Sequence, residues 1–352
     1  MSTPIEVRSG QFHYQQYTLA YELYGADGGT PCVLVHGILL DSLLNRALAR
    51  RFAALGYQVA LIDLLGHGKS DRSRDPKEHR VDFYADQVLA LLDHLGWARA
   101  VVGGVSLGCI TALTVAVKAP QRCAALFLEM PVMEWSAPWA ALILSPLLVA
   151  SRYNQPVQAR IARLIGRLPR PPVDWLASAM NAISNDPRVV AAILHGVLVG
   201  PIVPTLAERR RLTMPVLIIG HSGDKLHEHR DARSLATQLP NARLLMARSI
   251  LELRTRPARL WPQIEAFMRA ALDAETAPAA VTADAPRAVP RKPAVRKPAV
   301  AAKRAAVRKA RPEAKTTAKT ATKAKAAVAA RKPAAGKAGN KRVAKRPRAA
   351  KR

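Results

Sequence analysis

The chain has 352 residues, with 54 Lys and Arg against 25 Asp and Glu and a formal net charge of +29. Residues 276–352 hold 24 of those cations and two acids, net +22, whereas residues 1–275 hold 30 cations and 23 acids, net +7. The first part is therefore not a basic domain overall. The second has no Phe, Tyr, Trp, Leu, Ile, His or Cys, so it cannot bury enough surface to offset its ordering entropy. The expected division is a globular body over 1–275 and a disordered basic tail over 276–352.

In chain order, residues 18–24 mix β-formers with partial alternation and read as an early antiparallel strand. Residues 31–35 form a short continuous apolar run, the mark of a strand buried on both faces. A helix over 45–55 stops at Gly56, a strand follows at 57–62, and an amphipathic helix over 81–95 stops at Gly96. Residues 100–103 are a third buried strand, a helix follows over 109–118, and 123–128 make a fourth strand. Such alternation predicts a mostly parallel sheet with helices on both faces. Regularity then breaks over about 131–214, a helical stretch punctuated by Pro146, Pro156, Pro169, Pro171, Pro172 and Pro201, as expected of a cap. A strand at 216–220, a helix at 231–239, a strand at 242–246 and a closing helix at 258–272 resume the pattern.

Gly104-Val105-Ser106-Leu107-Gly108 is a G-x-S-x-G turn lying between a strand and a helix. The glycines remove side chains where the chain reverses, and the turn presents the Ser106 hydroxyl beside the free N–H groups of a helix start. Cys32, Cys109 and Cys123 show no CxxC spacing, which argues against a disulfide framework or a zinc site. Cys32 and Cys123 read as core residues. The first residues lack a basic-then-apolar signal pattern. Residues 137–150 are too short and too Pro-interrupted to span a bilayer. A cytoplasmic protein with no transmembrane segment, cofactor or metal is the expectation.

Over about residues 10–273 the chain resembles the α/β-hydrolase superfamily. Val35-His36-Gly37 is similar to that family's oxyanion loop, and Asp63-Leu64-Leu65-Gly66-His67-Gly68-Lys69-Ser70 to its D-x-x-G-x-G-x-S loop; the serine elbow and the cap follow in order. The resemblance implies Ser106 as nucleophile, the backbone N–H groups of Leu107 and Ile38 as the oxyanion hole, and Asp224 as the triad acid. A serine in place of aspartate argues against the haloalkane dehalogenase and epoxide hydrolase branches. Esterase, lipase-like, thioesterase and cofactor-free perhydrolase-like chemistry on a small apolar acyl substrate stays open.

The family's base, a histidine after the last strand, is missing, because residues 247–253 contain no histidine and none occurs after His229. His227, three residues from Asp224, is the first substitute; His229 and Glu252 follow. A non-catalytic binding or scaffold protein on the same fold is the alternative, as is a nucleoid-associated protein whose body only dimerises. His36 reads as shaping the oxyanion loop, His67 as a structural hydrogen-bonder, and His221 as bonding within its own turn. His13, His79 and His94 read as solvated, His195 as a satisfied helix histidine of the cap, with lining of the cleft as the alternative, and Glu129 as a polar strand-end group or alternative acid. Glu252 could pair with Arg248 or Arg254 on the surface.

The tail repeats Arg291-Lys292-Pro293-Ala294-Val295 as Arg296-Lys297-Pro298-Ala299-Val300 and resembles the Ala/Lys/Pro-rich tails of linker histones. Closely spaced cations bind phosphates through counterion release without reading bases. Nucleic acid, or another polyanion, is the expected partner of residues 287–352, with nucleoid association as the matching location.

Overall fold

The computed structural model describes residues 5–200, 203–224 and 226–276; the expectations for the tail lie outside them. The elements are β1 (Val7–Tyr14), β2 (Tyr17–Tyr24), β3 (Thr30–Val35), α1 (Arg46–Ala53), β4 (Tyr57–Ile62), α2 (Val81–His94), β5 (Ala100–Val105), α3 (Leu107–Lys118) and β6 (Cys123–Glu129). Among the described residues five helices follow, over the stretch that the sequence marks as a cap: α4 (Ala137–Tyr153), α5 (Gln155–Gly166), α6 (Asp174–Ile183), α7 (Pro187–Val199) and α8 (Leu206–Arg209). The body closes with β7 (Val216–His221), α9 (His229–Gln238), β8 (Ala242–Ala247), α10 (Glu252–Thr255) and α11 (Trp261–Thr276).

The described strands form one sheet in the order β1-β2-β4-β3-β5-β6-β7-β8. β1 and β2 run antiparallel, and all pairings from β4 to β8 are parallel. Successive side chains of a strand face opposite sides, so each apolar run feeds two cores. Val33, Val102, Leu126, Leu128 and Ile218 pack with α2, α3 and α9, together with Ile193 and Val197 of the cap. Cys32, Leu34, Val101, Phe127, Leu217 and Ile219 pack with α1 and α11. Cys32, Cys109 and Cys123 are free thiols buried in these cores.

Two elements differ from the sequence expectation. β1 has no counterpart in the apolar pattern because it is an edge strand with only Phe12 buried. Pro146 does not end a helix: it lies inside α4. Pro146 and Leu142, whose carbonyl the ring leaves without a donor, are both on the exposed side.

Register brings the strand ends together. Val35 pairs with Ile62 and Gly104, Val105 with Glu129, and Glu129 with Ile219. Such ends are where parallel sheets build sites. The elbow glycines set how closely these ends approach: a Cβ on Gly108 would stand 2.2 Å from the Val35 carbonyl oxygen, and one on Gly104 2.5 Å from the same atom. That neighbour is backbone and cannot rotate away. Gly108→Ala is therefore expected to lower unfolding free energy by about 3 kcal/mol or more. Gly28→Ala, at φ +79° but in open space, should cost only about 1–2 kcal/mol; urea unfolding of the pair measures the difference.

Candidate active site

Ser106 links β5 to α3 at φ +54° and ψ −111°, a sparsely populated conformation that costs on the order of 1–3 kcal/mol for a residue with a side chain. The surroundings hold it there. Its N–H donates to the Glu129 carbonyl at 2.9 Å, and its own carbonyl accepts from Cys109 and Ile110 at the start of α3. Ser106 remains partly exposed.

His227 lies in the loop between β7 and α9, and its Nε2 is 2.9 Å from Ser106 Oγ. Its Nδ1 is 2.6 Å from Asp224 Oδ2. A carboxylate only accepts, so Nδ1–H donates to Asp224 and Nε2 is left to accept the Ser106 hydroxyl proton. Asp224 Oδ1 accepts the Leu226 N–H at 2.8 Å, a local turn that carries acid and histidine on one short segment. Burial raises the Asp224 carboxyl, but the hydrogen bond from His227, with the Leu226 and His227 N–H groups, outweighs it and holds it below its ordinary value. Asp224 is thus an anion at neutral pH.

Ile38 follows the Val35-His36-Gly37 turn, and a Cβ on Gly37 would stand 3.8 Å from Ser106 Cβ. Leu107 opens α3, where a helix N–H has no acceptor within the helix. Two histidines brace this loop. His36 Nδ1–H donates to the Gly37 carbonyl at 2.8 Å and Nε2 accepts from Leu64 N–H at 3.1 Å. His67 Nε2 accepts from Leu39 N–H at 3.2 Å, and its Nδ1–H donates to the Leu65 carbonyl at 3.0 Å. Burial lowers both rings' affinity for protons. Neutral imidazole, with one donor and one acceptor, is the form these bonds require. The Asp63 carboxylate completes the bracing by accepting from Ser42 and Lys69 N–H at 2.7 and 2.8 Å. A polar cavity of about 430 Å³ opens at Leu39, lined by Asp41, Lys69, Arg72 and Asn181 among others; Ser106 and His227 do not line it.

The region where the family's base would stand is filled otherwise. His221 does not bond within its own turn, as the sequence suggested; its Nδ1–H donates 2.9 Å to the Ser249 carbonyl after β8. Its Nε2 is 3.4 Å from Glu129 Oε1, within ion-pair distance but without hydrogen-bond alignment. Glu129 is bound by Arg254 and does not approach His227 as a second acid. Glu252 accepts from Arg259 at 2.7 Å and from the Arg248 backbone N–H, rather than from the Arg248 or Arg254 side chains. His229 is exposed at the start of α9, and His195 is exposed on α7 in a groove with Tyr153 and Val199. His79, expected in solvent, is buried, bonding Tyr84 Oη at 2.8 Å and the Ser73 carbonyl at 3.1 Å. A Cβ on Gly196 of α7 would stand 2.8 Å from the His79 Cβ, and the Tyr84 ring of α2 lies beside the imidazole.

Burial raises the Glu129 carboxyl, but Arg254 and His221 more than reverse this and hold it at about 2. Its folded pKa is therefore below that of the unfolded chain, about 4.3. The stabilisation is complete above the unfolded value and is lost as pH falls towards 2. Arg254→Met should strand the buried carboxylate and cost about 3–5 kcal/mol at neutral pH. Thermal unfolding across pH 3–7 should show that cost shrinking in acid.

Sequence reasoning passed over the group that fixes the His227 loop. Asp231, in the first turn of α9, accepts from Met133, Trp135 and Ser136 N–H at 2.8, 3.0 and 2.8 Å. Ser136 Oγ accepts from Glu228 N–H at 2.8 Å. These bonds tie the cap entrance to the residue after His227. They join segments some 95 residues apart, and no local pattern marks them; an acidic residue in a first helical turn was the only hint.

Sheet order, elbow and loop geometry together define an α/β-hydrolase architecture. The family model for the alpha/beta hydrolase fold matches residues 30–248, and the chain belongs to that family. Among curated relatives it is 45% identical over 105 residues to the dihydrolipoyllysine-residue acetyltransferase component of an acetoin cleaving system from Pseudomonas putida, a match covering 30% of this chain and 27% of that protein. It is 30% identical over 202 residues to the putative carbamate hydrolase RutD of Stutzerimonas stutzeri, covering 54% of this chain and 72% of the relative. The 2-hydroxy-6-oxo-6-phenylhexa-2,4-dienoate hydrolase from Rhodococcus sp. strain RHA1 superposes with a TM-score of 0.61 at 20% identity, covering 76% of this chain and all of that one; at that identity the likeness is one of fold.

Proposed function

We propose that this chain is a serine hydrolase acting on carboxylic esters or related acyl compounds. The observation that carries the reading is the unbroken path from Ser106 Oγ to His227 Nε2 and from His227 Nδ1 to Asp224, at 2.9 and 2.6 Å. In the acylation step His227 takes the Ser106 proton as Oγ attacks the substrate carbonyl carbon. The oxyanion that forms faces the N–H groups of Leu107 and Ile38. Such donors act on charge present only in the transition state and contribute about 3–4 kcal/mol. Protonated His227, held by Asp224, then gives its proton to the leaving alcohol. Water then gives a proton to the same nitrogen as its oxygen attacks the acyl carbon; the bond from that carbon to Ser106 Oγ breaks, Oγ takes the proton back from His227, and the carboxylic acid leaves. The base stands two residues ahead of α9 instead of after β8, yet the roles are met by geometry, which is what a triad requires. The name of the Stutzerimonas relative, a carbamate hydrolase, belongs to the same acyl-transfer class.

Hydrolysis of p-nitrophenyl butyrate and octanoate by purified protein tests the reading. Steady turnover that saturates with substrate is expected. A folded protein with no turnover on esters, thioesters or carbamates would leave the fold as a binding scaffold.

The 24 cations of residues 276–352 support a second role, tethering to a polyanion, with nucleic acid as the first choice. Retention on immobilised DNA at low salt should be lost when the chain is ended at residue 276, and should fall steeply with salt in the intact chain. Unchanged retention of the shortened chain would end the idea.

A further inference from the structure

The cap carries a surface that acyl chemistry does not require. Along α4 the exposed residues include Trp139, Leu142, Ile143, Pro146, Val149 and Tyr153, spaced by three and four so that they share one helical face. Leu142 is 64% exposed and Tyr153 82%. After one connecting residue, α5 repeats the device with Val157, Ile161, Leu164 and, just beyond its end, Leu168. Two successive apolar stripes of this kind are uncommon on a surface facing only water.

Charge identifies what covers it. Residues 137–173 contain five arginines, Arg152, Arg160, Arg163, Arg167 and Arg170, and no Asp or Glu. All five are exposed. None forms an ion pair among the described residues. Two copies meeting through this face would oppose like charges. The tail, net +22 and lacking any large apolar side chain, would be repelled and has nothing to insert. An anionic lipid surface satisfies both halves: acyl chains take the stripes, and headgroups take the exposed guanidinium groups of Arg152, Arg160, Arg163 and Arg167, whereas Arg170 already donates to Asn181, Ser184 and the carbonyls of Ile165 and Leu168. No described helix is long and apolar enough to cross a membrane, and α4 and α5 have the make-up of helices that lie in the interface plane.

We propose that the α4–α5 face of the cap docks on the surface of an anionic lipid bilayer. The inference stands on the cap alone and does not depend on Ser106 being a nucleophile. The full chain is mixed with phosphatidylcholine vesicles, with or without phosphatidylglycerol, containing brominated acyl chains that quench tryptophan. Expected are quenching with phosphatidylglycerol, persistence of much of it in about 1 M salt, where charges are screened within about 3 Å, and loss of quenching in Trp139→Phe. Leu142→Asp with Leu164→Asp, both at exposed positions, should weaken partitioning at least about tenfold while thermal unfolding stays unchanged. Sedimentation without quenching would mean that the tail alone binds, and overturns the proposal. So would quenching that the double variant leaves intact, no binding at all, or a dimer in solution that the double variant converts to monomer.

Discussion

Ser106→Ala is expected to lower kcat/KM for an ester substrate by about 10,000-fold or more, with little change in substrate affinity. The hydroxyl is the only group in the proposed relay that forms a bond to carbon. Its removal leaves water to attack, aided by the N–H groups of Leu107 and Ile38 but not by covalent catalysis. The fold should survive. Ser106 is partly exposed, and its backbone bonds to Glu129, Cys109 and Ile110 do not involve the side chain. Loss of activity with an unchanged unfolding curve is therefore the expected pair of results, and activity within tenfold of the parent would remove Ser106 from the reaction.

His227→Ala should be nearly as damaging, about 1,000- to 10,000-fold in kcat, and this is the more discriminating change. Without it the Ser106 proton has no acceptor at 2.9 Å, and the leaving group has no donor. Residues acting as one relay are not additive, so Ser106→Ala with His227→Ala should be little worse than Ser106→Ala alone. His229→Ala, two residues away and exposed, should leave kcat within about twofold of the parent, since surface changes away from the relay are nearly neutral. A kcat loss shared equally by His227 and His229 would mean that the loop matters for shape, not for proton transfer.

The parallel strands were legible because strands buried on both faces read as continuous apolar runs, and residues 31–35, 59–62, 100–103 and 216–220 are such runs. β1 was not, since an edge strand with one buried side chain leaves no pattern. The elbow was legible because its glycines answer a steric demand at Val35 that only a missing side chain can meet. His227 was singled out by its nearness to Asp224 and its place at a strand's carboxyl end. Its aim, however, is set by Asp231 and Ser136 through bonds to the cap entrance, which no local pattern carries. His79 and His221 show the same limit: each satisfies partners brought near by the fold, so one residue's neighbours in sequence misjudge its solvent exposure or its partner.

Fluorophosphonate labelling followed by peptide mass mapping tests the relay most directly, since the reagent records nucleophile and base in one event without any knowledge of substrate. The account predicts stoichiometric label on the peptide containing Ser106, abolished in Ser106→Ala and slowed at least about 1,000-fold in His227→Ala. Folded protein that takes no label, or label on Ser106 at an undiminished rate in His227→Ala, would contradict it.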